Sequence, residues 1–155
     1  MNTAAIIDPE TGLLDEVFLR AAFPTRVAMA RRLLRPTSLA LIAVAERGRP
    51  GRPSTATAQR VTEVLLLGLR ESDTACRLDD GGFGLILEET PEDGAVWTIE
   101  RMRRGVSSDV IIWAGVACYP AHGLKAAEVV AGAEAALTDA RMWATSRIEI
   151  ALADS

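Results

Sequence analysis

The most constraining feature of this 155-residue chain is an unbroken apolar run, Leu39-Ala40-Leu41-Ile42-Ala43-Val44-Ala45. The run has strand length, and a strand wetted on one face would alternate polar with apolar side chains. It therefore predicts a central strand buried on both faces, inside a sheet that helices cover. The segments around it supply the partners. From Asp15 to Leu34 the residues Phe18, Leu19, Ala22, Val27, Ala30 and Leu34 recur near helical spacing, with Pro24 expected to kink or divide the helix. Residues 47–53, rich in Gly and Pro, cannot hold regular structure. Behind them Ser54 is a candidate N-cap for a helix carrying Val61, Val64, Leu65, Gly68 and Leu69 on one face and ending near Arg70.

Two short apolar segments follow, residues 74–78 and 83–87, separated by Asp79-Asp80-Gly81-Gly82, which has the composition of a tight hairpin turn. Pro91 can open a helix with Ala95, Ile99 and Met102 on one face, and Gly105 closes it. Residues 110–118 read as a second buried strand, 124–143 as a helix, and 147–152 as an edge strand on the alternation of Ile148, Ile150 and Leu152. The order helix, strand, helix, hairpin, helix, strand, helix, strand predicts an α/β (α+β) fold with a central mixed five-stranded sheet flanked by helices. No linker or repeat divides it, so residues 1–155 are expected to form a single domain.

Composition narrows the function classes. A chain that is 49% hydrophobic and 25% charged suits one globular core. With a net charge of −4 and its arginines spread along the sequence, it offers no polycationic face, so nucleic acid is not an expected partner. No apolar run is long enough to cross a bilayer, and residues 1–10 lack the pattern of a signal peptide, so no membrane partner and a cytoplasmic location are expected. Cys76 and Cys118 stand far apart with only His122 to join them, which excludes structural zinc and leaves both as core thiols. His122, between Pro120 and Gly123, reads as a surface loop residue, whereas Trp97 and Trp143 are expected inside, and both lying in one exposed apolar patch would instead favour a protein partner. The residues call for no metal and no cofactor.

Four segments carry a resemblance. Asp8-Pro9-Glu10-Thr11-Gly12-Leu13 resembles a DxLTGL turn, and the stretch from Arg70 to Leu78 resembles an RxxD segment leading into a hairpin. Ala114-Gly115-Val116-Ala117 resembles a strand ending in IGVA, and the stretch from Ala133 to Arg141 an ADxALYxAK helix. In this order and spacing the four resemble the GGDEF domain of diguanylate cyclases, a fold related to the nucleotidyl cyclase and palm folds.

The resemblance implies an active site in which carboxylates hold two Mg²⁺ ions and bring two GTP molecules into line. Aligned on Arg77 and Phe83, the five signature positions fall on Asp79, Asp80, Gly81, Gly82 and Phe83, so glycines stand where acids are needed and acids where glycines are needed. The position of the first-strand metal ligand falls on Ala43. Asp79 and Asp80 are poor substitutes, because a shift of two residues along a strand moves a side chain by about 6–7 Å. Residues 47–54 hold no counterpart of the guanine-recognising FKxxND and GHxxGD elements, and Arg141 replaces a phosphate-binding lysine. The resemblance thus implies a degenerate, catalytically inactive GGDEF domain.

The residues of the family's inhibitory product site persist. Arg70 and Asp73 match its RxxD pair, and Arg101 matches an arginine on the following helix. Two arginines and a carboxylate can read guanine edges and phosphate, so cyclic di-GMP is the implied ligand. The alternative is that Arg70 and Asp73 form a solvated ion pair at a helix end, that Arg101 is an ordinary exposed charge, and that the domain serves a protein partner or a homodimer without nucleotide.

Overall fold

A computed structural model describes residues 6–153 of the chain, so Met1 to Ala5 of the N-terminal segment and the last two residues lie outside it. The apolar run occupies the middle of β2 (Thr37–Glu46), which pairs antiparallel with β4 (Phe83–Glu88) on one side and with β5 (Val110–Tyr119) on the other. Successive side chains of a strand point to opposite faces. Ala40, Ile42 and Val44 accordingly pack with Val61 and Leu65 of α2 (Thr55–Gly68) and with Ile99 and Met102 of α3 (Glu92–Arg104). Leu39 and Leu41 face the other way, toward Phe23 and Val27 of α1 (Glu16–Leu33) and Val129 and Ala133 of α4 (Ala126–Ala140).

The sheet has six strands rather than the expected five, in the order β1-β3-β4-β2-β5-β6. The additional one is β1 (Leu14–Asp15), which runs parallel to β3 (Thr74–Arg77) and is too short to show alternation in sequence. At the opposite edge β6 (Arg147–Ile150) runs parallel to β5. Pro24 does not divide α1. It lies on the solvent side, where water can meet the carbonyl its missing N–H leaves free. Asp15 and Ser54 cap α1 and α2 by accepting from the Phe18 and Thr57 N–H groups.

Three single-residue expectations meet different outcomes. Cys76 and Cys118 are buried free thiols, and burial pushes Cys76 up to about 11, which leaves it inert. His122 is buried, contrary to its reading as a surface residue. The turn after β5 folds back so that the His122 N–H donates to the Cys118 carbonyl at 2.8 Å. Its ring then receives the Cys118 N–H on Nδ1 at 2.8 Å and meets Glu92 through Nε2 at 2.9 Å. Trp97 and Trp143, expected inside, are 60% and 50% exposed. Ala95, Ile99 and Met102 already fill the inner face of α3, so Trp97 lies outside it under the Arg101 guanidinium, and Arg147 covers Trp143 in the same way. Among the described residues no helix is long and apolar enough to cross a membrane.

Candidate functional site

The tip joining β3 to β4 is closed by two backbone bonds, Gly81 N–H to the Leu78 carbonyl at 3.0 Å and Leu78 N–H to the Gly82 carbonyl at 2.9 Å. Gly81 takes φ +93°, a left-handed conformation that favours glycine. Asp80 turns back on its own turn, accepting the Gly82 N–H at 2.9 Å. Asp79 contributes backbone rather than carboxylate. Its N–H donates to Glu16 at 3.0 Å and its carbonyl accepts from Arg52 at 2.8 Å. Burial pushes the Glu16 carboxyl up, but the Asp79 N–H and Arg20 more than offset this and hold it below the usual range.

Gly82 faces β2 at close quarters. Its neighbour Phe83 pairs with Ile42, and a Cβ added to Gly82 would lie 2.2 Å from the Ile42 carbonyl oxygen. Beside it opens a cavity of about 390 Å³ walled by Ala43, Asp80, Trp113 and two arginines, Arg52 and Arg141. These residues do not fit a divalent cation. Ala43 and Gly82 offer no side-chain donor, Asp80 is the single carboxylate on this wall and already accepts the Gly82 N–H through Oδ1, and the guanidiniums oppose a cation. Among the described residues no group of three His, Cys, Asp or Glu side chains could hold a metal.

Beneath the tip lies a feature that the sequence reading passed over. Arg77 is 2% exposed and donates through Nη1 to Glu10 at 2.8 Å and Asp8 at 3.3 Å, and through Nε to the Gly81 carbonyl at 3.2 Å. Its guanidinium lies 5.1 Å from the centre of the Phe83 ring, and Nη2 has no hydrogen-bond partner. Burial raises the Asp8 carboxyl, yet Thr11 and Arg77 together bring it below its ordinary value, and Thr55 and Arg77 do the same for Glu10. The available signal was an arginine between the core residues Cys76 and Leu78, with two acids in the opening turn to receive it.

The RxxD pair lies at the far end of β3. Asp73 is almost buried, and both its oxygens are engaged, Oδ2 by the Arg70 N–H at 2.9 Å and Oδ1 by the Glu88 N–H at 3.0 Å. Arg70 approaches it at 3.5 Å through Nε, while Nη2 donates to the Thr90 hydroxyl at 2.6 Å and to the Glu88 carbonyl. The Arg70 side chain remains 56% exposed and borders an open cavity of about 530 Å³. Glu88 and Glu89 on its wall are paired to Arg26 and Arg35. Arg101 is not part of this cavity. It lines a different hollow, between α2 and α3, that shares no lining residue with the first. The structure thus brings Arg70 and Asp73 together and sets Arg101 apart.

No family model matches the chain, and none of the curated proteins does. Solved structures do match. The GGDEF domain of DgcB from Caulobacter crescentus, in complex with c-di-GMP, superposes with a TM-score of 0.83 at 17% identity, over 97% of this chain and 98% of that one. The GGDEF domain of PA1120 (TpbB or YfiN) from Pseudomonas aeruginosa gives 0.81 at 19% identity over 94% of both chains. Diguanylate cyclase SiaD in complex with its activator SiaC, from the same species, gives 0.81 at 24% identity over 96% of this chain and 62% of that one. Likeness so complete at such low identity speaks for architecture, and the architecture is that of a GGDEF domain.

Proposed function

We propose that this chain is a GGDEF-family signalling domain that has lost diguanylate cyclase chemistry and receives cyclic di-GMP at the Arg70 corner. The observation that carries the first half is Gly82. At the position where the resemblance calls for an acid, the backbone lies so close to Ile42 that any side chain would force the tip away from β2, and the guanidiniums beside it oppose Mg²⁺. For the second half, the support is a half-exposed guanidinium beside an open cavity, positioned by its own backbone bond to Asp73. In this reading Arg70 donates to a guanine edge, Asp73 is a positioning residue, and Arg101, from its separate hollow, meets the far phosphate. DgcB, of like fold, has been solved with c-di-GMP bound.

Calorimetric titration of the chain with cyclic di-GMP tests the receptor reading. Saturable heat in the wild type that Arg70→Ala abolishes is the expected result, and no heat up to high micromolar ligand would overturn it. A second reading, a protein-interaction domain that binds no nucleotide, draws on the engagement of both Asp73 oxygens by backbone N–H groups and on the separate placement of Arg101.

A further inference from the structure

The sheet ends on a strand that is paired on one side only. β6 is last in the order β1-β3-β4-β2-β5-β6, and among the described residues no strand meets its outer side. The Ala151 N–H donates to the Val116 carbonyl at 2.8 Å, so the backbone groups of Arg147, Glu149 and Ala151 face β5. Those of Ile148 and Ile150 alternate to the open side, where they offer donors and acceptors to a further strand.

Proteins commonly blunt such an edge with proline or lysine. Neither occurs between Met142 and Leu152. Instead apolar side chains stand in water at both ends of β6, with Met142 at 81% exposure and Trp143 before it, and Ile150 and Leu152, the latter at 90%, at its end. An open edge flanked in this way is a template for strand addition.

We propose that β6 pairs antiparallel with β6 of a second copy of this chain, about a two-fold axis through Ile148. Charge selects both the partner and the register. With the axis at Ile148, Arg147 lies opposite the partner's Glu149, and Glu149 opposite the partner's Arg147. Within one chain Arg147 Nε already meets Glu149 at 2.7 Å. That bond stays, because the four charges then form a square in which every neighbour, along a strand or across the axis, has the opposite sign. An axis at Arg147 or at Glu149 would set like charges face to face, and one at Ile150 would set both charges opposite alanines, Ala151 and Ala153. The outward N–H and carbonyl of Ile148 meet their own counterparts in the same register. The strand is thus complementary to itself, and the joined sheet ends on both sides in the two-residue β1, too short an edge to recruit more copies. None of Arg70, Asp73 and Arg101 belongs to this edge, so pairing here is independent of nucleotide binding.

Sedimentation velocity of the full chain, from low to high micromolar concentration, tests the pairing. The wild type is expected to form a reversible dimer. Arg147→Glu and Glu149→Arg each set like charges across the axis and should weaken it about tenfold or more. An equal mixture of the two variants should dimerise again, because the acids of one chain then face the arginines of the other, a recovery that a merely structural role of either residue would not produce. Circular dichroism confirms that both variants keep the wild-type fold. A wild type that stays monomeric at high micromolar concentration would overturn the proposal. So would a dimer indifferent to both exchanges, or a mixture that fails to dimerise where each variant alone has dissociated.

Discussion

Replacing Gly82 by alanine is the smallest change that probes the closed hairpin tip. The added Cβ would sit 2.2 Å from the Ile42 carbonyl oxygen, and Cβ contacts under 3.0 Å are essentially never seen, so the tip and β2 must part by about 0.8 Å. The obstacle is backbone in the central strand, which cannot rotate aside as a side chain would. Overpacking of this kind costs about 1–3 kcal/mol. For a domain of this size about 2 kcal/mol corresponds to a fall in melting temperature of roughly 4–8 °C. Gly68→Ala is the matched control. Nothing lies within 4 Å of its added Cβ, and at the end of a helix alanine is neutral or stabilising. Differential scanning calorimetry of the two variants reads the difference directly. If Gly82→Ala melts within a degree of wild type, the tip is easily remodelled and the steric argument against an acid at this position fails.

Other outcomes follow from the same geometry. Gly115→Ala should destabilise at least as strongly, because its Cβ would meet the Ala133 carbonyl oxygen and the Leu137 nitrogen at 2.3 Å, wedging β5 from α4; chemical denaturation checks this. Arg77→Met should cost about 3 kcal/mol by stranding Asp8 and Glu10 beside an apolar group. These two acids are held below their ordinary values of 3.8 and 4.5, so the unfolded chain takes up protons first as pH falls. Their contribution is complete above those values and is lost as pH drops through the lowered folded ones. Urea unfolding from about pH 6 to about pH 3 should therefore show a shallower acid limb in Arg77→Met than in wild type. The Cys76 thiol, pushed up to about 11 by burial, should react with a thiol reagent only on unfolding, and labelling of the native chain at neutral pH would contradict that placement.

The architecture was legible because it rests on burial periodicity. The apolar run of β2, the faces of α2 and α3, and the hairpin between β3 and β4 follow from spacing alone, and the sheet they imply is, apart from β1, the one observed. What escaped depends on contacts distant in sequence. Nothing local in Pro120 to Gly123 says that His122 turns inward to accept the Cys118 N–H, and the two-residue β1 has no periodicity to read. For the site, the absence of side-chain donors at Ala43, Gly81 and Gly82 was visible in residue identity. The tightness at Gly82, the burial of Arg77 and the separation of Arg101 from Arg70 required coordinates, because each depends on which strands and helices come together.

The central claim is a GGDEF fold without its chemistry, and incubation of the purified chain with GTP and Mg²⁺ tests it most directly. Chromatography of the reaction should show GTP unchanged and no cyclic di-GMP, both in wild type and in a variant carrying Gly82→Glu with Ala43→Asp, because a side chain at the tip forces it away from β2 and Arg52 and Arg141 still oppose a divalent cation there. Accumulation of cyclic di-GMP by the wild-type chain would contradict the account.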